Sequence, residues 1–361
     1  LHTTCRRQRQ MCIRDRSPSG LAMSLNEFPP SRRAFALGVW GTIGALTGLC
    51  GSPIAAGMIE LFNWQAIFIL TGGFSLLILL AGFVVLSDEQ EGNNQLPIDW
   101  VSAIIAVMAV GGLTLFLVQG QEWGFSSPVT LVCLCISIIS TPLLARRNRT
   151  QRHPLFPPAI FAQRSFTIGA AGSALCQVGF FSIYFGLPLY MREVWSWSPL
   201  KIGFALIPLN VVPLLTAAVA GKIVDRQGPR PMVIFGGIWS GVSFLIIGFF
   251  LMEAGYILFA LGLLVSGLGA MAIGNNTTIA TLLDIEDGLL ASASSASYTA
   301  RRLGSALGAV LTASIVGNRL GSDFKDVYIW VWILGAGAYL LGSLITYLYY
   351  PRRNEQGLSN V

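Results

Sequence analysis

The chain contains about ten apolar runs, separated by short hydrophilic turns. A helix needs about 20 apolar residues to cross a hydrocarbon core about 30 Å thick, at about 1.5 Å per residue. Charged residues are 11% of the 361 residues, whereas a soluble domain carries about 25%. We therefore predict an all-α polytopic membrane protein whose immediate surroundings are a lipid bilayer. The predicted spans are 34–59, 65–87, 99–119, 127–145, 166–191, 202–220, 231–252, 256–283, 303–317 and 327–349.

The positive charges lie in short loops and form no continuous basic stripe, so we predict no nucleic-acid partner, despite the net charge of +6. Lys and Arg are enriched in cytosolic loops of membrane proteins. If the segment before the first span is cytosolic, fourteen of these residues lie on the cytosolic side and four on the other. The external four are Arg192, Lys201, Arg319 and Lys325; the cytosolic set includes Arg146, Arg147, Arg164, Arg230, Arg301 and Arg302.

The sequence offers little for metal or covalent chemistry. The only histidines are His2 and His153. Cys50, Cys133, Cys135 and Cys176 fall inside apolar runs without metal-ligand spacing, and there they behave as small apolar side chains. An intramembrane enzyme would need a metal cluster or a nucleophile with a partner base. We predict no enzymatic activity, no metal and no cofactor.

The stretch "GKIVDRQGPRP", residues 221–231, is predicted to form a cytosolic turn between two spans. Glycines allow a tight reversal, an aspartate can cap a helix N-terminus, and arginines can pair with carboxylates or with helix C-terminal carbonyls. A generic basic turn is the alternative. The pattern G-x-x-x-D-R-x-G-x-R resembles the loop signature of the major facilitator superfamily. The resemblance implies a conformational latch that does not touch substrate, formed by Gly221, Asp225, Arg226, Gly228 and Arg230.

The stretch "GLCGSPIAAG", residues 48–57, places glycines and a proline inside the first span. On a helix, Gly41, Gly44, Gly48, Gly51, Ser52 and Ala55 share one face, which lets another helix approach closely, and Pro53 permits a kink. Ordinary small-residue packing remains the alternative.

This stretch resembles the fifth-span antiporter motif "GPxxGG" of facilitator-type drug exporters. Pro53 and Gly57 match the motif, whereas Ser52 and Ala56 stand where it has glycine. Both replacements are small and would preserve close packing. The resemblance assigns the antiporter motif to Gly44, Gly48, Gly51, Ser52, Pro53 and Gly57.

Further stretches, "NWQAIF" (63–68), "GQEWGFSSP" (120–128) and "ARRLGSALGAV" (300–310), complete a resemblance to the fourteen-span drug:H+ antiporters of the EmrB/QacA type. It implies a major facilitator fold with about ten of fourteen helices present, the chain being N-terminally truncated.

The string "MCIRDR" at 11–16 resembles translated sequencing-adapter sequence, the alternative being a basic arm on an anionic leaflet. We divide the chain into 1–16, a non-native scar; 17–33, the end of span four and a cytosolic loop; 34–87, spans five and six; 88–145, two extra central spans; 146–165, a cytosolic linker; 166–350, a C-terminal six-helix bundle; and 351–361, a cytosolic tail.

Polar residues inside the spans are candidates for the lining of a substrate cavity, although hydrogen bonding between helices explains such residues equally well. Pro208 and Pro213 flank Asn210, one of these polar residues, and are expected to give a partly unwound segment. The candidates are Gln177, Tyr184, Asn210, Asn275 and Asn276.

The resemblance implies proton-coupled efflux of drugs or other amphipathic small molecules by alternating access in the bacterial inner membrane. The implied partners are a small-molecule substrate, protons and a periplasmic adaptor protein. Two alternatives remain open, an uptake carrier for a small organic solute and a non-transporting truncated fragment. The sequence identifies no proton-coupling residue.

Overall fold

The computed structural model describes residues 33–85, 99–151, 154–252, 254–273, 276–285, 289–317 and 324–351. These parts of the chain are helical apart from short turns, which confirms the predicted all-α fold. A π-helical segment, Ile247–Leu251, follows directly after the helix Pro229–Ile246. The helices are α1 Arg33–Leu61, α2 Gln65–Val85, α3 Trp100–Trp123, α4 Pro128–Thr150, α5 Pro158–Ala162, α6 Arg164–Glu193, α7 Pro199–Ala205, α8 Ile207–Gln227, α9 Pro229–Ile246, α10 Tyr256–Ile273, α11 Asn276–Leu282, α12 Leu290–Gly317 and α13 Phe324–Tyr349.

Eight spans in the described residues are long and apolar enough to cross a membrane, some of them formed by two consecutive helices. Helix α12 begins at Leu290, well before residue 303, the predicted start of the ninth span. Arg301 and Arg302 therefore lie inside a helix and not in a cytosolic loop, and Arg301 donates to the hydroxyl of Thr278. Hydropathy detects only the apolar half of α12, since its first half is rich in alanine and serine.

The C-terminal helices pack around α6 through glycine. A Cβ atom on Gly308 of α12 would lie 2.5 Å from the carbonyl oxygen of Val178, and one on Gly179 would lie 2.8 Å from the carbonyl oxygen of Gly335 on α13. Helices in lipid associate where small residues let their backbones approach, because lipid provides no hydrophobic drive between helices. The glycines of α6, α12 and α13 therefore specify this part of the fold.

The two central spans form a hairpin closed at one end by an ion pair. Asp99 caps α3 by accepting from the backbone N–H of Ser102 at 3.1 Å. Near the end of α4, Arg147 donates to both carboxylate oxygens of Asp99, at 2.9 and 3.1 Å. These hydrogen bonds, from Arg147 first and then from Ser102, hold the pKa of Asp99 well below its usual range. The carboxylate therefore stays ionised at any physiological pH.

The span predicted at 202–220 is interrupted. The break falls at Leu206, between α7 and α8 and two residues before Pro208, and Leu206 keeps right-handed helical dihedrals. Proline lacks the N–H that would continue the helical hydrogen bonds, and its φ suits the first turn of a new helix. Pro213 lies inside α8. The residues between Pro208 and Pro213 are helical, so the unwound segment expected there is wrong, and the break precedes both prolines.

Candidate functional site

Helix α1 approaches the C-terminal helices closely at Gly203 of α7. A Cβ atom on Gly203 would lie 2.7 Å from the Cβ of Ala56 and 2.9 Å from the carbonyl oxygen of Ser52. Ala56 is only 7% exposed. Only glycine fits at position 203 without moving a helix, so Gly203 is part of the site although sequence reasoning missed it. The sequence feature that could have indicated Gly203 is its position, four residues after the proline that starts α7.

The packed side of α1 is rotated from the predicted small-residue face. Ser52, Pro53 and Ala56 contact Gly203, whereas a Cβ on Gly51 would meet nothing within 4 Å. A Cβ on Gly57 would make an ordinary contact of 3.6 Å with Leu200. The two parts of the motif that differ from the family pattern, Ser52 and Ala56, therefore make the close contact. Gly44 lies in α1, but its surroundings are outside what the structure describes.

Polar groups from three helices meet beside this contact. The hydroxyls of Ser52 on α1 and Tyr184 on α6 lie 3.2 Å apart and share a hydrogen bond. One turn earlier on α1, a Cβ on Gly48 would lie 3.2 Å from the side-chain oxygen of Asn210 on α8. The amide nitrogen of Asn210 reaches the Leu206 carbonyl at 3.5 Å, beside the α7–α8 interruption. The structure thus brings two of the predicted cavity residues to the predicted antiporter motif.

The face of α6 that presents Tyr184 is aromatic. The rings of Phe180 and Tyr184 are stacked, with centroids 5.3 Å apart and planes at 16°. Gln177, which is partly buried, lies on the same face because its spacing from Phe180 and Tyr184 is i, i+3, i+7. Gly48, Ser52, Phe180, Tyr184 and Asn210 are hereafter called the inter-bundle site. Its groups can stack on a flat apolar molecule and hydrogen-bond to it, and all five are uncharged.

Of the two remaining cavity candidates, the structure describes only Asn276. Asn276 is 5% exposed and donates to the carbonyl of Ala272, four residues earlier, at 2.9 Å. This bond gives Asn276 a local backbone partner. Asn275 lies outside the described residues.

A carboxylate joins α1 to α7 at the far end of the contact. Glu60 accepts from the backbone N–H of Leu200 at 3.0 Å, in the first turn of α7. The first N–H groups of a helix have no partner within the helix, and a carboxylate satisfies them well. In the predicted orientation this is the external end of α1. Sequence reasoning did not single out Glu60, since nothing local predicts its distant partner.

The predicted latch turn is shorter than expected because α8 continues to Gln227. The reversal takes place at Gly228 alone, whose φ of +79° favours glycine, and Gly228 is also the N-cap of α9. Gly221, Asp225 and Arg226 are helical positions of α8, so Asp225 does not occupy the N-cap. The side chains of these three lie outside what the structure describes.

Arg230 pairs with a helix C-terminal carbonyl, one of the two kinds of partner predicted for it. It donates to the carbonyl of Tyr347 at 2.6 Å, in the last turn of α13. The contact ties the start of α9 to the end of α13.

Comparisons with known proteins agree with this architecture. A sequence model described as "Major Facilitator Superfamily" matches residues 17–183 and 169–360. The chain is 25% identical to the tetracenomycin C resistance and export protein of Streptomyces glaucescens, over 86% of this chain and 57% of that protein. It is 25% identical to the multidrug export protein EmrB of Escherichia coli strain K12, over 84% of this chain and 59% of that protein. It is 27% identical to EmrB of Haemophilus influenzae, over 84% of this chain and 60% of that protein.

The chain therefore spans 57 to 60% of the length of these curated relatives. The similarities confirm the family resemblance that the sequence motifs carry. Together with the apolar helices, they identify a multi-pass protein of the bacterial inner membrane.

Proposed function

The chain belongs to the Major Facilitator Superfamily, and on that premise we propose that the protein exports drugs or other amphipathic small molecules by alternating access. Relatives named for multidrug and antibiotic export support this direction of transport. We further propose that efflux is driven by proton exchange and that a periplasmic adaptor assists it, as the resemblance to EmrB-type exporters implies.

One observation carries the proposal, the close contact of α1 with α7 beside a polar, aromatic site. The contact leaves no space at Gly203 for even one methyl group, and we propose that it alternates between a packed and a separated state. Alternating access needs such an element between two helix bundles, with the substrate held close to it. The antiporter motif thus supplies the movable contact, and the inter-bundle site binds the substrate.

The chemistry of the inter-bundle site favours aromatic substrates with hydrogen-bonding groups. Stacking on the Phe180–Tyr184 pair supplies affinity without demanding one shape. Ser52, Tyr184 and Asn210 supply hydrogen bonds through hydroxyl and amide groups, and the five residues of the site include no carboxylate, histidine or lysine. We therefore assign substrate recognition to this site and the coupling proton to another part of the protein.

The latch is proposed to act at the cytosolic side, through Gly221, Asp225, Arg226, Gly228 and Arg230. Its support is the reversal at Gly228 and the bond from Arg230 to the end of α13. We propose that these groups hold α8, α9 and α13 together in one conformation and release them in the other.

The test uses the complete reading frame that contains this sequence, expressed in an efflux-deficient host. We expect a planar aromatic dye to be retained less in these cells than in cells with an empty vector, and a protonophore should abolish the difference. Tyr184→Ala should lose most of this activity. The matched control is Phe185→Ala, because Phe185 is the next residue and is 48% exposed.

Unchanged dye retention on expression would remove the export proposal. Greater dye retention on expression would favour the uptake carrier instead. Equal activity of Tyr184→Ala and Phe185→Ala would leave export standing and remove the assignment of the inter-bundle site.

A further inference from the structure

A cavity of about 310 Å³ lies at one end of the C-terminal helices, away from the inter-bundle site. It sits where α6 and α9 begin and where α13 ends. Its charged lining residues are Arg164, the first residue of α6, and Arg230. In the orientation predicted from loop charge, this end faces the cytosol. The cavity therefore lies at the level of the inner leaflet headgroups.

The two arginines carry unneutralised positive charge. Neither forms a salt bridge with any carboxylate in the part of the chain that the structure describes. Arg230 uses one terminal nitrogen on the carbonyl of Tyr347, but its Nε is buried and has no acceptor among the described residues. A buried donor without an acceptor is costly, so the Arg230 Nε favours an incoming anion.

The helix ends at the cavity add to this preference. Gln163 and Gly228, the N-cap residues of α6 and α9, make no side-chain capping hydrogen bond. No side-chain cap occupies the first N–H groups of α6, and such N–H groups attract anions. The start of α9 contributes less, because Pro229 and Pro231 have no backbone N–H. The free carbonyl groups at the end of α13 repel an anion, but the carbonyl of Tyr347 already accepts a hydrogen bond from Arg230.

The position and remaining lining favour a lipid over a free ion. Tyr349 and Leu348 line the cavity and are 51% and 55% exposed, so an acyl chain can lie along them while the headgroup enters. Tyrosine is enriched at this depth of the bilayer. In the sequence, Arg352 and Arg353 follow directly after Pro351, the last residue at the cavity.

We propose that this cavity binds the phosphate of an anionic phospholipid of the inner leaflet. The planar guanidinium groups match phosphate oxygens, and basic pockets between helices on the cytosolic side are suited to such headgroups. The site lies at the ends of α6, α9 and α13, so occupancy stabilises the packing of these three helices.

The experiment measures thermal unfolding of the full protein in mild detergent during titration with phosphatidylglycerol, phosphatidylcholine or inorganic phosphate. Phosphatidylglycerol should raise the unfolding midpoint more than either of the others. Arg164→Gln should raise its half-saturating concentration about fivefold, the effect expected for one interfacial arginine. Arg164→Lys should retain most of the affinity. Arg149→Gln, in an exposed arginine of α4 that is not part of the cavity lining, is the matched control and should bind like the wild type.

Equal stabilisation by phosphatidylcholine would overturn the proposal. Equal stabilisation by inorganic phosphate would assign the cavity to a soluble anion and also overturn it. The same loss of affinity in Arg164→Gln and Arg149→Gln would show a diffuse charge effect in place of a site. None of these outcomes depends on export, because no transport is measured.

Discussion

Gly203→Ala is the sharpest test of the contact between α1 and α7. The added Cβ would lie 2.7 Å from the Cβ of Ala56, whereas ordinary contacts begin near 3.4 Å. The helices must therefore separate by about 0.7 Å, the difference between these distances. Overpacking of this kind costs about 1–3 kcal/mol. If only the packed state carries the cost, the ratio of packed to separated states falls about 5- to 150-fold.

We expect dye export by Gly203→Ala to fall by about tenfold or more with little loss of protein from the membrane. Gly51→Ala is the matched control, since it adds the same methyl group to α1 where nothing lies within 4 Å. The assay is initial efflux rate from preloaded cells, normalised to the amount of protein. Equal rates for the two variants would refute the reasoning, because the contact would then not limit transport.

Further predictions concern the motif, the central hairpin, the latch and the helix packing. Ser52→Leu or Ala56→Leu should impair export, whereas glycine at both positions should be tolerated. Efflux rates of these three variants are compared, and normal efflux by either leucine variant would contradict the prediction. Asp99→Asn should lower the unfolding temperature because the Arg147 pair is lost, and a midpoint equal to that of the wild type would contradict this. Because folding lowers the pKa of Asp99, its ionised carboxylate stabilises the folded state at every pH above the ordinary carboxylate pKa. This stabilisation is lost only as pH falls through the depressed pKa. The unfolding temperature difference between wild type and Asp99→Asn should therefore be constant from pH 8 to about pH 5; a difference that vanishes by pH 5 would rule it out. Asp225→Asn should slow transport without lowering expression, and full activity would remove the latch assignment. Gly308→Leu should prevent folding because its Cβ meets the backbone of α6, which size-exclusion chromatography would reveal as aggregation.

The sequence predicted most of the spans because apolar length alone decides which segments cross a bilayer. It did not indicate the start of α12, where Ser- and Ala-rich residues are helical and Ala293 is buried in a cluster with Phe166 of α6. It also overextended the latch turn, because helix α8 tolerates Gly221 in its interior.

Most residues of the candidate site could be predicted one by one, but the contacts between them across helices could not. Motif spacing pointed to Ser52 and Ala56, and polarity within a span pointed to Tyr184 and Asn210. Nothing local indicated that Ser52 and Tyr184, 132 residues apart, share a hydrogen bond. Gly203 was missed for the same reason, since the need for glycine there arises from the approach of α1.

The central claim is that the contact between α1 and α7 opens and closes during transport. The most direct measurement is the distance between spin labels at Ile59→Cys on α1 and Lys201→Cys on α7, in a background without native cysteines. Both positions are exposed, so the labels need not disturb the contact. The account predicts two distance populations whose ratio changes when substrate is added or pH is lowered, with the long distance favoured in Gly203→Ala. A single distance population that neither substrate, pH nor Gly203→Ala alters would contradict it.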